Sequence, residues 1–122
     1  MRLFTLALLP LALMATPVLA AQQCGWWSNP SAGNEYLINE EGVWVLLEQG
    51  RDDEPMDYAL LDEMDISAGL EGVQTGTGYG YSCACLDFEA DAENRVTRIL
   101  SPGKSQPLAT CAETLEDLRP EG

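Results

Sequence analysis

An alternation of large and small side chains over residues 76–86 is the clearest pattern in the chain, which reads Gly-Thr-Gly-Tyr-Gly-Tyr-Ser-Cys-Ala-Cys-Leu there. In an extended strand, successive side chains point to opposite faces of the sheet. One face would carry Tyr79, Tyr81, Cys83 and Cys85. The other face would carry glycine, serine and alanine, which let a neighbouring layer approach closely. The pattern predicts the central strand of a small β domain.

Two further β-rich segments, residues 35–39 and 43–49, flank the polar sequence Asn-Glu-Glu-Gly at positions 39–42. A polar turn that ends in glycine between two such segments predicts a β-hairpin. In the second segment Trp44 and Leu46 face one side, and valines and a leucine face the other. We therefore expect this strand to be covered on both sides.

Weaker patterns predict the remaining elements. Residues 70–75 form a weak strand, residues 87–94 turn the chain and residues 95–100 return as a strand, while Gly103 and Pro107 mark a loop. The combination predicts a mainly β fold: a small antiparallel β-sheet or partly open barrel with one or two short helices.

Two segments have the periodicity of short helices. Over residues 55–64, an acidic residue precedes Pro55 and the apolar residues fall on one helical face. Near the C-terminus, the spacing of Leu108, Cys111, Leu115 and Leu118 is that of an amphipathic helix. Cys111 would attach this second helix to the sheet.

The first residues of the chain resemble a secretory signal peptide. Arg2 is followed by an apolar run over residues 3–13 and by small residues around Ala20. A short basic start, an apolar core and a small-residue cleavage site define such a peptide, and the run is too short to span a membrane. We therefore expect residues 1–20 to be removed, leaving a single soluble domain, residues 21–122, in the periplasm or secreted.

The four cysteines are Cys24, Cys83, Cys85 and Cys111. An even number in a small exported domain predicts a disulfide framework, with the pairing undecided. Residues two apart on a strand lie ~6.6 Å apart with parallel side chains, at the limit of disulfide geometry. We therefore expect Cys83 and Cys85 to bond separately, one to Cys24 and the other to Cys111, in either arrangement.

The charge balance restricts the possible partners. Six basic and 20 acidic residues give the chain a formal net charge of −14. Nucleic acids and anionic lipid surfaces bind basic patches, so neither is expected as a partner. An acidic surface attracts a cationic partner and speeds its arrival at low salt. The charge therefore favours a basic envelope or extracellular protein as partner, or else serves only solubility.

Two adjacent tryptophans, Trp26 and Trp27, precede turn signals at Asn29-Pro30 and Gly33-Asn34. Adjacent residues of a strand point in opposite directions, so one tryptophan can enter the core and the other can lie at its rim. The aromatic residues either form and cover the core or provide a platform for a ligand. In the second case, the binding surface would comprise Trp26, Trp27, Tyr79 and Tyr81.

Few residues are suited to catalysis or to binding a cofactor. The chain has no histidine, which excludes the usual serine and cysteine triads. A calcium loop that begins at Asp87 would have Ala92 in place of its glycine and Arg98 in place of its final glutamate, and the glycines of residues 76–80 lack the lysine of a phosphate loop. We expect no enzymatic activity, no catalytic residue, no cofactor and no bound metal.

The ordered set of motifs in this chain, above all Tyr79-Gly-Tyr-Ser-Cys-Ala-Cys85, resembles that of a bacterial family, the domain of unknown function numbered 4087. The aromatic-Gly-aromatic-x-Cys-Ala-Cys core over residues 79–85 is the most specific part of the resemblance, which covers nearly all of the mature chain. Members are small exported proteins without an established function, so the resemblance implies a compartment and a four-cysteine framework but no active site. The other matching motifs are Cys24-Gly25-Trp26, Asn29-Pro30, Asn34, Glu41-Gly42-Val43-Trp44, Gln49-Gly50 and Pro107-Leu108-x-x-Cys111.

These observations predict a non-catalytic binding or structural module of the cell envelope. One alternative is an acidic inhibitor of a cationic hydrolase such as a lysozyme, because negative charge steers a protein onto a basic enzyme. Another is a thiol-redox or metal-binding protein that uses Cys83 and Cys85, since thiolates bind soft metals when reduced.

Overall fold

Seven strands form one sheet in the part of the chain that the computed structural model describes, residues 21–50 and 72–120. The predicted fold class, a small antiparallel β-sheet with a short helix and two disulfides, is confirmed. The predicted signal peptide and the predicted helix over residues 55–64 lie outside the described residues. In chain order the elements are β1 (Ala21–Ser31), β2 (Asn34–Asn39), β3 (Gly42–Leu47), β4 (Val73–Gly76), β5 (Tyr79–Ala90), β6 (Val96–Ile99), β7 (Lys104–Gln106), the α-helix α1 (Leu108–Leu115) and a 3-10 helix (Glu116–Leu118).

β5 is the strand around which the sheet is organised, as the sequence predicted. One of its edges pairs with β1, from Phe88 opposite Ala21 to Gly80 opposite Asn29. Its other edge pairs with three short strands in succession, β4, β7 and β6. The 12 residues of β5 give it the length to pair with all three on one edge.

β5 continues to Ala90, whereas the sequence predicted a turn from residue 87 onwards. The alternation of faces continues through residues 87–89. Phe88 is buried, and Asp87 and Glu89 lie on the other face. The turn itself lies at residues 91–94. The sequence also missed β7, because Lys-Ser-Gln carries no apolar signal and joins β5 through its backbone.

The predicted hairpin is confirmed, with β2 and β3 joined at Glu40 and Glu41. Gly42 follows at φ 140°, a conformation that favours glycine. Trp44 is buried on one side of β3, as expected. The other side is covered only in part, because Val45 and Leu47 are half-buried while Val43 is 46% exposed.

β1 runs through the predicted turn at Asn29-Pro30 and ends at Ser31. The pairing of β1 with β2 shifts register between Ser28 and Ser31, and Pro30 lies within this irregularity. A proline has no N–H to donate to the ladder, so it is tolerated at a bulge and not in a regular central strand. The chain turns at residues 32–33 instead.

The sheet curls until its two ends touch. The backbone N–H of Val45 in β3 donates to the carbonyl of Asn94 at 2.8 Å, and Val45 also forms a single bridge with Arg95 beside β6. Because this contact is a single bridge, the sheet remains open. Its concave side encloses the inner core, which comprises Trp27, Leu37, Trp44, Leu46, Ala84, Leu86, Phe88 and Val96.

A second and smaller core lies on the opposite face of the sheet, beneath α1. We call it the helix-side core; its buried members are Trp26, Tyr81, Cys83 and Cys111. The ring of Trp26 meets that of Tyr81 edge to face, with 5.6 Å between their centroids. Half-buried apolar residues of α1, among them Leu108 and Leu115, complete it.

Both adjacent tryptophans are fully buried, so the prediction that one of them lies at the rim is wrong. Trp26 and Trp27 are each 0% exposed. They point to opposite faces, as residues of a strand must, but both faces are covered at β1. The curl of the sheet encloses Trp27, and α1 covers Trp26.

Candidate functional site

The two disulfides resolve the pairing that the sequence left open. Cys24 lies directly opposite Cys85 in the β1–β5 register, and the two form a cross-strand disulfide. Cys83 bonds to Cys111 of α1, with 5.8 Å between their Cα atoms. The expectation that Cys83 and Cys85 bond separately is confirmed, and Cys111 attaches the helix to the sheet.

The C-terminal segment is also held to the sheet by polar and aromatic contacts around Trp26. The indole N–H of Trp26 donates to the carbonyl of Leu115 at 2.7 Å. The guanidinium of Arg119 lies 4.9 Å from the centroid of the Trp26 ring, within the range of a cation–π contact. Arg119 also donates to Glu116 at 2.8 Å, and hydrogen bonding to that carboxylate raises the pKa of Arg119 above its ordinary value. These contacts hold the C-terminal end of α1 and the residues that follow it against β1.

A groove runs between the β2–β3 hairpin on one side and α1 with the 3-10 helix on the other. It consists of two adjoining cavities, one of about 360 Å³ beside the disulfides and one of about 490 Å³ beside β3. Four residues line both cavities: Asn39, Glu40, Thr114 and Leu115. We refer to the two cavities together as the groove.

The groove combines apolar and acidic groups. Val43 and Leu118, which are 46% and 36% exposed, present apolar surface on its two walls. Glu40, Glu41 and Asp117 supply carboxylates along it. None of the described residues that line the two cavities is basic. Within residues 21–50 and 72–120, the groove therefore presents an apolar surface with negative charge and no lining cation to neutralise it.

Hydrogen bonds fix the hairpin end of the groove. The amide of Asn39 donates to the side chain of Gln23 and to the carbonyl of Cys24, both at 3.0 Å. Its oxygen accepts the backbone N–H of Glu41 at 2.8 Å, and Gln23 donates to the Glu41 carboxylate at 3.1 Å. The carboxylate of Glu41 is therefore held in place at the groove.

The candidate binding surface of Trp26, Trp27, Tyr79 and Tyr81 is not formed. Trp26, Trp27 and Tyr81 are buried in the two cores, and only Tyr79, at the start of β5, is partly accessible. The burial has a simple physical cause, since large aromatic rings are the main source of apolar surface in so small a domain. The structure brings the groove residues together instead, and the only sequence signal for them is the acidic pair at the hairpin turn.

The acidic stretch after β5 forms the tip of a hairpin, as the sequence favoured. The Asp91 carboxylate accepts the backbone N–H groups of Glu93 at 2.9 Å and of Arg95 at 3.0 Å, and it also pairs with the Arg95 side chain. The hydrogen bond from the Arg95 backbone is the main cause that lowers the pKa of Asp91.

Within residues 21–50 and 72–120, no group of three or more His, Cys, Asp or Glu side chains could hold a metal ion.

The fold and groove define a disulfide-bonded, mainly β protein with an acidic lateral groove. In the described ranges, no helix combines the length and apolar character needed to cross a membrane. The model of the family described as "Protein of unknown function (DUF4087)" matches residues 18–117, and the chain belongs to that family. Neither the curated proteins nor the solved structures contain a match to this chain.

Proposed function

We propose that this protein is an exported, non-catalytic binding module that holds a basic, partly apolar segment of another envelope or extracellular protein in the groove. The observation that carries the proposal is the lining of the groove: among the described residues it combines exposed Val43 and Leu118 with carboxylates and includes no basic side chain.

Charge complementarity supports a basic occupant. Glu40, Glu41 and Asp117 create a negative potential that a chain with a net charge of −14 reinforces. Lysine or arginine side chains of a partner would neutralise these carboxylates, while its apolar side chains would cover Val43 and Leu118. The groove extends over two adjoining cavities of about 360 and 490 Å³, which suits an extended segment of polypeptide better than a compact small molecule.

The state of the cysteines supports both export and a non-catalytic role. Two disulfides are typical of proteins that mature in an oxidising compartment. They leave none of the four cysteines as a free thiol nucleophile, and the sequence contains no histidine that could act as a general base.

Export predicts a defined mass for the mature protein. Protein recovered from an envelope extract or the medium should begin at Ala21, because the sequence before it has the features of a signal peptide. Its mass should be lower than that of the reduced chain by four hydrogens, two for each disulfide. Intact mass spectrometry measures both values. A chain that still begins at Met1 would contradict export.

Binding in the groove can be measured with a short synthetic peptide in which lysine and leucine alternate. Fluorescence anisotropy at low ionic strength should detect binding to the wild-type protein. The double variant Glu40→Gln/Glu41→Gln should bind about five- to tenfold more weakly, since each exposed charge pair contributes up to about 1 kcal/mol. A peptide with serine in place of leucine should also bind more weakly, because it cannot cover the apolar surface.

The matched control is Glu48→Gln/Glu113→Gln, which changes the net charge equally at exposed residues that do not line the groove. This variant should bind the peptide as the wild type does. Equal weakening in both double variants would show that the peptide responds to net charge alone, and the groove would then not be the binding site. Absence of binding at millimolar peptide and low ionic strength would also refute the proposal.

A further inference from the structure

The two disulfides differ sharply in their access to solvent. Cys83 and Cys111 are 1% and 2% exposed and belong to the helix-side core. Cys24 is exposed, and its partner Cys85 is half-buried. An attacking thiolate must reach a sulfur atom directly, so access is one of the factors that govern exchange. The Cys24–Cys85 disulfide is therefore the one open to reaction in the folded protein.

The exposed disulfide has a single cation as its cross-strand neighbour. Lys104 of β7 lies directly opposite Cys85, while Cys24 lies opposite Cys85 on the other edge of β5. Residues that face each other in this way have Cβ atoms ~5 Å apart on the same face of the sheet. Lys104 is the only lysine in the sequence. From this register position the lysine side chain is long enough to bring its ammonium group to the Cys85 sulfur, where it would stabilise negative charge.

Two carboxylates in the neighbourhood of the disulfide act against this effect. Asp87 lies two residues beyond Cys85 on the same face, and Glu41 lies with Cys24 at the end of the groove. Both already accept hydrogen bonds, Asp87 from Ser101 at 2.9 Å and Glu41 from Gln23 at 3.1 Å. Neither carboxylate is a register partner of Cys85.

We propose that Cys24–Cys85 is a thiol–disulfide exchange site for a dithiol reductant protein, and that Lys104 assists the departure of Cys85. A thiolate of the reductant attacks Sγ of Cys24; a new S–S bond forms as the Cys24–Cys85 bond breaks, and the electron pair leaves on Cys85. The second thiolate of the reductant then attacks the reductant sulfur that is bonded to Cys24. A disulfide forms within the reductant, and Cys24 is released as a thiolate. The reductant loses two electrons and becomes a disulfide, while Cys24 and Cys85 take up two protons and become thiols.

Opening of the Cys24–Cys85 bond leaves the other contacts that hold the sheet in place. β1 and β5 remain paired on both sides of the Cys24–Cys85 position, from Ala21 to Asn29. The Cys83–Cys111 disulfide continues to attach α1. The reduced cysteines therefore stay opposite each other, ready for reoxidation. Since Cys24 lines the groove, the exchange takes place at one end of the proposed binding site, but it does not depend on a partner occupying that site.

The test follows disulfide opening in the folded, oxidised protein with thioredoxin as the reductant and dithiothreitol as a small-molecule comparison. Samples are quenched with an alkylating reagent and mapped by mass spectrometry, with circular dichroism as the control for folding. Cys24 and Cys85 should be labelled first, at least about tenfold faster than Cys83 and Cys111. Lys104→Gln should slow this first step about threefold, whereas Arg98→Gln, which removes a cation opposite Glu89, should leave it unchanged.

A second measurement separates charge stabilisation from a merely structural role of Lys104. In a Cys24→Ser variant, Cys85 is left as a single thiol whose pKa can be titrated by thiolate absorbance. Adding Lys104→Gln should raise that pKa, and adding Lys104→Arg should leave it low. Labelling of Cys83 and Cys111 first, or of all four cysteines together, would refute the exchange site. An unchanged rate and an unchanged thiol pKa in Lys104→Gln would refute the role of Lys104.

Discussion

Replacing Trp27 with alanine should lower the free energy of unfolding by about 3–5 kcal/mol, the range for truncation of a fully buried large aromatic residue. Trp27 is 0% exposed and lies in the inner core, where its register partner on the neighbouring strand is Leu37 and Trp44 belongs to the same cluster. Its loss leaves a cavity that the surrounding strands cannot fill, because they are held by their backbone pairing. A small domain has only about 5–15 kcal/mol of stability in total, so much of it would be lost.

Urea denaturation of the oxidised protein, followed by far-UV circular dichroism, measures this change. Val43→Ala provides the control within the same sheet. Val43 is 46% exposed, so its truncation should cost less than about 0.5 kcal/mol. Similar losses in the two variants would contradict the placement of Trp27 at the centre of a core and would favour the original expectation of a tryptophan at the rim.

Removing the buried disulfide with Cys83→Ala/Cys111→Ala should cost about 3.5 kcal/mol and release α1 from the sheet. The bond closes a loop of 28 residues, for which the chain-entropy model gives a stabilisation of this size. Both sulfur atoms are also lost from the helix-side core. After their removal, the C-terminal segment keeps the packing of Leu108 and Leu115 on the helix-side core and the polar contacts around Trp26, without a covalent link to the sheet. Hydrogen exchange should show faster exchange in α1 while the amides of β1 and β5 remain protected.

The matched comparison is Cys24→Ala/Cys85→Ala, which opens a loop of 61 residues and should cost about 4 kcal/mol. This variant should keep the protection of α1, because Cys111 remains bonded to Cys83. The two variants also distinguish the contribution of α1 to peptide binding from a general loss of stability. Loss of Cys83–Cys111 should abolish binding of the lysine–leucine peptide, since α1 forms one wall, whereas loss of Cys24–Cys85 should not. Equal loss of α1 protection in both variants would contradict this division of roles.

The sequence predicted the elements whose signals are local. Alternation around residues 79–85 identified the central strand, and a polar turn ending in Gly42 identified the β2–β3 hairpin. Helical spacing from Leu108 to Leu115 identified α1. The separate bonding of Cys83 and Cys85 also followed from local geometry, because residues two apart on a strand are poorly placed to bond. The resemblance to the family of unknown function is confirmed by the family match over residues 18–117.

Sequence reasoning failed where the environment of a residue depends on distant parts of the chain. Trp26 and Trp27 give the same signal in one strand, and only the curl of the sheet and the attachment of α1 bury both of them. β7 carries no apolar pattern, and it joins β5 through backbone pairing that any sequence can make. The partner of Cys85 was decided by the β1–β5 register, to which the spacing of the cysteines contributes nothing.

The candidate site was the least predictable feature. One half of it, two carboxylates and Val43, comes from the β2–β3 hairpin. The other half, Asp117 and Leu118, comes from the C-terminal segment, which is more than 70 residues away in the sequence. Residue patterns alone were enough to predict a small acidic β protein with a four-cysteine framework and a central strand. The tertiary structure decided which cysteines pair, which aromatic rings are buried and where acidic and apolar groups meet. The reason is that periodicity reports only the two faces of an element, whereas packing determines what covers each face.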